Sequence, residues 1–512
     1  MSDCARKLIG IETLNAGSES WTGKGEIIAV VDSGIDASHP DFDGRIAYKA
    51  PGPLGGEVDD HIGHGTHVAG TAAGSGAASG GKIRGMAPEA TLVVVGITDD
   101  DGDLKIPPDF GDVLEQAAKQ GAKVINLSLE AAIASEYDNH AKAVDSFMRE
   151  HPDVLVVVAA GNEGNAEHGY PYLRSVGTPA SAKNVLTVGA CASDRPGFEE
   201  TWETYDSNRF GAEPVSVEKL AGDPDLLAAF SSRGPSDFDA VKPDVVAPGT
   251  AILAPRADGV PERRFWRLFD DFGGRYAFMN GTSMAAPVAS GAAAIVRQVL
   301  RTKLTPPLTA PPSAALIKAV MIASAQRLGT TPFRNEDFGY PDFDQGFGRL
   351  DLARVLPGEH APPGRRLWVE DVPNVDDRAL ESRAQLGAVH KATRRYRFKV
   401  GAGKQPLRAV LCWTDFEQAA VQNCLALELQ GPGGLRVRGN EGHLWQVVPS
   451  ASVDPRFLAH QIDRRNNVQA IGVEEAAEGA YTLTVFASNT LFPPQGYAFC
   501  VCAEVTSDPE SR

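Results

Sequence analysis

Between Lys24 and about Val299, short runs of β-branched apolar residues alternate with helical patterns, and this alternation constrains the fold more than any other feature of the chain. The runs at 26–31, 91–96, 123–129 and 154–159 are largely apolar rather than apolar only at every second position. Such runs suit parallel strands covered on both faces. The stretches between them carry helical spacing: 110–120 stops before Gly121, and 137–150 stops near Pro152. The expectation is an α/β fold on a doubly wound, mainly parallel sheet. Pro and Gly cluster over 305–312 and again over Pro357-Gly358-Glu359-His360-Ala361-Pro362-Pro363-Gly364, after which the texture changes. Short aromatic and β-branched runs at 395–400, 407–413, 424–429, 481–487 and 497–505 predict an all-β C-terminal sandwich or barrel. The expected division is 1–356 for the α/β domain, 365–506 for the β domain and 507–512 for a tail.

A length of 512 residues suits about two to four domains. The formal net charge of −17 argues against electrostatic capture of nucleic acid or an anionic membrane surface. No run approaches the roughly 18 apolar residues of a membrane span, so a soluble protein is expected. No basic segment leads into an apolar stretch at the N-terminus. The protein is then cytoplasmic if Met1 is its native start, or secreted if a leader has been removed. Cys4, Cys191, Cys412, Cys424, Cys500 and Cys502 lack the spacing of a zinc site. Cys412, Cys500 and Cys502 sit in apolar runs, where small buried hydrophobes are expected, and no disulfide pairing is assigned.

Three segments place polar residues where packing alone would not ask for them. The run Ile27-Ile28-Ala29-Val30-Val31-Asp32-Ser33-Gly34 delivers a carboxylate to the C-terminal end of a strand, where open α/β sheets build their sites. His64-Gly65-Thr66-His67-Val68-Ala69-Gly70 opens a helix of small residues. Asn280-Gly281-Thr282-Ser283-Met284-Ala285-Ala286-Pro287 sets a serine at a helix start, beside unsatisfied N–H groups and the positive end of the dipole. Taken singly, each has a plainer reading as a helix cap, a turn or a core histidine.

Taken in the order Asp, His, Ser, the three motifs resemble the subtilisin-like serine peptidases. The resemblance runs from Lys24 to Asp351 and includes Ala159-Ala160-Gly161-Asn162, Phe230-Ser231-Ser232-Arg233-Gly234-Pro235 and Gln345-Gly346-Phe347-Gly348-Arg349. It implies Ser283 as nucleophile, His64 as base and then acid, Asp32 as the carboxylate orienting the imidazole, and Asn162 as side-chain oxyanion donor. It leaves His67 to pack beneath its helix. No cofactor is implied for the chemistry itself. Protein or peptide substrates are implied as partners, with a propeptide or protein inhibitor as a further partner of such enzymes.

By the same resemblance, Ser128-Leu129-Glu130 and Ala159-Ala160-Gly161 wall the pocket for the residue before the scissile bond. Glu130 departs from the glycine usual there. Its carboxylate either favours Lys or Arg in the substrate or points to solvent; the solvent-facing reading is slightly preferred, with broad apolar or aromatic preference as the default. Asp99-Asp100-Asp101-Gly102-Asp103 reads as a solvated loop that could border the cleft. Met284 is expected to confer sensitivity to peroxide if its sulfur is reachable.

Leu411-Cys412-Trp413-Thr414-Asp415, Asn423-Cys424-Leu425-Ala426-Leu427 and Gly479-Ala480-Tyr481-Thr482-Leu483 look like the C-terminal β-domain of a subgroup of bacterial alkaline subtilases. That domain is expected to stabilise the catalytic one rather than bind on its own. Structural calcium is implied by the resemblance, but the carboxylates the subgroup carries in the second stretch are missing here, so no metal ligand is named. The sequence ahead of Asp32 is too short to hold the inhibitory propeptide of such enzymes. Two other readings stay open: a peptide ligase or cyclase using the same acyl-enzyme, and an inactive binding homologue.

Overall fold

The computed structural model describes residues 4–130, 135–164, 168–304, 307–329, 341–381, 383–385, 388–390, 392–402, 404–441, 462–506 and 510–511. Seven strands form the main sheet: β1 (Ile27–Asp32), β2 (Ile46–Pro51), β3 (Thr91–Gly96), β4 (Val124–Leu127), β5 (Leu155–Ala159), β6 (Leu186–Cys191) and β7 (Val245–Pro248). Their order is β2-β3-β1-β4-β5-β6-β7, and every neighbouring pair is parallel. Strands β4 to β7 are buried at every position, as the unbroken apolar runs require of a sheet covered on both faces. Strand β1 lies between β3 and β4, so the chain winds outward first to one side and then to the other. The crevice that such a switch opens lies at the C-terminal ends of these strands.

The Asn139–Glu150 helix starts later than its periodicity suggests, because the Asp138 carboxylate accepts the Ala141 N–H at 2.9 Å and caps it. The 21-residue helix Thr282–Thr302 packs on the His64–Ala73 helix and on the sheet. A Cβ at Gly291 would stand 2.6 Å from the Ala72 carbonyl oxygen, so only glycine lets the two helices approach so closely. Thr282–Thr302 is also long and apolar enough to cross a membrane, with 89% of its apolar window buried inside the protein. The composition did not reveal a small antiparallel sheet, ordered Ile252–Pro255, Tyr276–Met279 and Arg267–Phe269.

Beyond residue 364 all named strand pairings are antiparallel. One sheet orders Arg365–Val372, Tyr497–Glu504, Leu407–Cys412 and Val468–Val473. A second orders Arg436–Arg438, Asn423–Gln430, Gly479–Thr490, Thr393–Val400 and Glu510–Ser511. Two residues expected in a tail are therefore paired, Glu510 with Arg397 and Ser511 with Tyr396. Along Tyr497–Glu504 the alternation is strict. Tyr497, Phe499 and Val501 enter the core between the two β-sheets, whereas Ala498, Cys500 and Cys502 join the core of the α/β part. These small residues face the Ala314–Ser324 helix, whose contacts with Tyr497–Glu504 and Leu407–Cys412 weld the two parts together. Cys191, Cys412, Cys424, Cys500 and Cys502 are buried thiols.

A buried ion pair pins this junction. The Lys183 ammonium donates to the Asp415 carboxylate at 2.8 Å and to the carbonyls of Phe416 and Ala420, at 2.8 and 2.9 Å, which uses its three donors. Asp415 accepts the N–H groups of Gln422 and Asn423 as well, and Asn184 donates to its carbonyl. Removing one partner leaves the other charge buried and unpaired. Lys183→Met should therefore cost about 3–5 kcal/mol in denaturant unfolding; a loss below about 1 kcal/mol would show that the pair does not hold the two parts together.

Candidate active site

Strand β1 ends on Asp32, which is fully buried and must find its hydrogen bonds within the protein. Its Oδ1 accepts the Ser33 N–H and pairs with His64 Nδ1, each at 2.7 Å. That bond fixes the imidazole ring and leaves Nε2 without a hydrogen bond among the described residues. Burial opposes the charged imidazole, but the Asp32 carboxylate outweighs it, so the His64 pKa is raised above its ordinary 6.5. Asp60 adds to the rise.

Asp60 is the residue the sequence did not disclose. Its Oδ1 accepts the Ser33 hydroxyl and the N–H groups of Ile62 and Gly63, at 2.9, 3.1 and 2.7 Å. Its Oδ2 accepts the N–H and hydroxyl of Thr66, at 2.8 and 2.6 Å. The Ser33 hydroxyl in turn accepts the Gly65 N–H at 2.9 Å, tying the end of β1 to the helix that starts at His64. The available signal was an acid four residues before a histidine that opens a helix, placed to satisfy orphan N–H groups.

His67 lies on the same helix and is fully buried, with Nε2 within 3.2 Å of the Ile252 and Ala277 carbonyls. Burial lowers its pKa to about 3, so it is neutral and serves packing, as expected.

The Ser283 segment is fastened to the end of β4. Register places Leu127 beside Val31, so Ser128 stands next to Asp32 at the sheet edge. The Ser128 hydroxyl donates to the Ser283 carbonyl at 2.8 Å, and the Ser283 hydroxyl donates to the Ser128 carbonyl at 3.2 Å. Pro287 makes the first bond available: it stands four residues into the helix from Ser283 and has no N–H to offer that carbonyl. Asn126 donates to Ser128 and accepts from Ser290, at 2.9 and 2.8 Å, locking helix to strand. Ser283 Oγ makes no hydrogen bond to His64 here; such bonds commonly tighten only when substrate is bound.

Asn162 follows β5 and is held by its oxygen. Oδ1 accepts the Thr282 N–H at 2.9 Å and the Thr282 hydroxyl at 3.1 Å. Its Nδ2 and the Ser283 N–H have no hydrogen-bond partner among the described residues, which leaves two donors beside one helix start. Ser128, Leu129, Ala159 and Ala160 are buried in the walls at the ends of β4 and β5. Met284 is 1% exposed, so its sulfur is not reachable in the resting protein as peroxide sensitivity requires.

Glu130 does not point to solvent. Its side chain crosses between the two walls, and Oε1 accepts the Asn162 N–H at 2.9 Å. The bond draws it inward because the Asn162 N–H lies past the end of the sheet ladder. Gly161, at φ +110°, makes room: a Cβ there would stand 1.8 Å from Glu130 Oε2. Asp99 of the acidic loop pairs with Lys105 at the surface.

The residues at the implied metal stretch do not fit calcium. The Asn423 amide is spent on Phe492 and Gln495, and Cys424 to Leu427 form a buried strand. Among the described residues no group of three or more His, Cys, Asp or Glu gathers as metal ligands. Cavities of about 410 and 360 Å³ lie away from Ser283, at Gly25–Arg301 and beside Trp413.

Replacing Asp60 with Ala should remove the acceptor for these N–H groups, at about 1–3 kcal/mol of stability, and lower the His64 pKa. Denaturation and an NMR titration of the imidazole check both; an unmoved titration would place Asp60 outside the site's electrostatics.

The subtilase family model matches residues 23–348. The chain is 31% identical over 355 residues to serine protease AprX of Bacillus subtilis, covering 67% of this chain and 68% of that one. It is 33% identical over 276 residues to a thermophilic serine proteinase of Bacillus sp., with 53% and 52% covered. Serine protease/ABC transporter B family protein tagA of Dictyostelium discoideum is 25% identical and aligns with 94% of this chain, which spans 30% of that protein. The parallel sheet and these likenesses agree, and the chain belongs to the subtilase family of serine-type endopeptidases.

Proposed function

We propose that the chain cuts proteins through an acyl-enzyme on Ser283. Ser283 Oγ attacks the scissile carbonyl and gives its proton to His64 Nε2; the imidazolium returns that proton to the leaving amine. Water then repeats the sequence to release the acid. Asp32 orients the ring and stabilises its charged form, and Asn162 Nδ2 with the Ser283 N–H donates to the developing oxyanion. The observation that carries this reading is a set of three hydrogen bonds at neighbouring strand ends: Asp32 to His64 at 2.7 Å, Ser128 to Ser283 at 2.8 Å, and Thr282 to Asn162 at 2.9 Å. They support a base, a serine-bearing helix and an amide donor held along one edge of the sheet.

Digestion of an unfolded protein by wild type and by Ser283→Ala tests the proposal; new termini that persist in the variant would refute it. Asn162→Ala should lower kcat about 100- to 1,000-fold with a much smaller change in KM, the magnitude for removing such a donor from a subtilisin. The pH profile has a fixed sign. His64 acts as base only when neutral, and its pKa is raised. Activity is therefore full on the alkaline side and is lost as pH falls through a value above 6.5. An acid limb of kcat/KM below that value would contradict the part given to Asp32.

A further inference from the structure

Glu130 has one carboxylate oxygen bonded and one stranded. Oε1 accepts the Asn162 N–H, while Oε2 is buried with no hydrogen-bond partner among the described residues. A buried carboxylate with one donor is short of both hydrogen bonds and countercharge. Among the described residues the surroundings do not make up the deficit. Glu163 adds like charge. Arg209 is the cation whose field favours the ionised form, but its guanidinium hydrogen-bonds the Asn162 carbonyl. The Ser232 hydroxyl, close to where Oε2 meets Gly161, accepts the Glu163 N–H and makes no hydrogen bond to Oε2.

The carboxylate's location makes this deficit useful. Glu130 is two residues past Ser128, whose hydroxyl and carbonyl both bond Ser283, and it touches the N–H of Asn162. The side chain of the substrate residue whose carbonyl faces Ser283 and Asn162 must pass between these same two wall segments.

We propose that Glu130 sets the specificity of the site, selecting Lys or Arg immediately before the scissile bond. The proposal rests on the peptidase reading above. A lysine ammonium or arginine guanidinium brings the positive charge and the donors that Oε2 lacks, whereas a large apolar side chain meets an anion lying across its path. A glycine at this position would leave the space between the walls open to apolar side chains.

The selection depends on pH, with a sign that follows from burial. Burial raises the Glu130 pKa to about 7, with Glu163 adding to the rise and the Asn162 N–H and Arg209 opposing it. The carboxylate is then anionic mainly above that pH, and preference for a basic residue should grow between about pH 6 and pH 8. A bound substrate cation favours the ionised form and extends the preference downward.

The test is kcat/KM for two peptides identical except for Lys or Leu before the cleaved bond, across that pH range, with wild type, Glu130→Gln and Glu130→Gly. In wild type the Lys-to-Leu ratio should exceed one and rise with pH. Glu130→Gln keeps the size and the acceptor for Asn162 but not the charge, so the ratio should fall about 10- to 100-fold and lose its pH dependence. Glu130→Gly should shift preference toward Leu and Phe. Ser283-dependent cleavage with the same ratio in wild type and Glu130→Gln would overturn this proposal and leave the peptidase reading standing. No Ser283-dependent cleavage of either peptide would remove both.

Discussion

Asp32 is a fully buried carboxylate, and the donors gathered on its Oδ1 organise the region around it, while its Oδ2 has no hydrogen-bond partner among the described residues. The strand that ends on it is central, between β3 and β4, so the carboxylate emerges where the sheet changes winding direction and helices cannot close over it. His64 reaches it with one ring nitrogen and Ser33 with its backbone. Ser33 in turn bonds Asp60, and Asp60 gathers the N–H groups at the start of the His64 helix. Two carboxylates and one hydroxyl thus set both the direction and the protonation of the imidazole.

The helix that carries Ser283 is held by a different device. A proline four residues after Ser283 withholds one backbone N–H, and the carbonyl it leaves open is taken by Ser128 from the neighbouring strand. Thr282, the residue before the serine, spends both its N–H and its hydroxyl on Asn162. Strand ends β1, β4 and β5 are therefore each tied to a helix start by a polar bond, while the apolar faces below them do the packing. The C-terminal sheet extends that packing rather than standing apart, since Ala498, Cys500 and Cys502 belong to the same core as the helices they cover.

Much of this was legible in the residues, for identifiable physical reasons. A strand buried on both faces is apolar except where a polar side chain such as Asn126 is hydrogen-bonded, so β1, β3, β4 and β5 announced themselves, and three motifs in fixed order singled out Asp32, His64 and Ser283. Strands Ile252–Pro255 and Arg267–Phe269 are four and three residues long, too short for a periodicity to mark them. Asp60 was hidden because one acid in a polar loop resembles any other until the chain folds back on it. The direction of Glu130 depends on an N–H donated from another strand end, a contact no local pattern encodes. The paired Glu510 and Ser511 were missed because two residues are too few to show an alternation.

The account stands on Ser283 being made nucleophilic by His64, and covalent labelling reads that directly. A sulfonyl fluoride probe, followed by mass spectrometry of the intact and digested protein, should give one adduct per chain, located on Ser283. Labelling should weaken as the pH is lowered through the raised His64 pKa and be abolished in His64→Ala. An adduct elsewhere, or a Ser283 adduct formed equally well without His64, would contradict it.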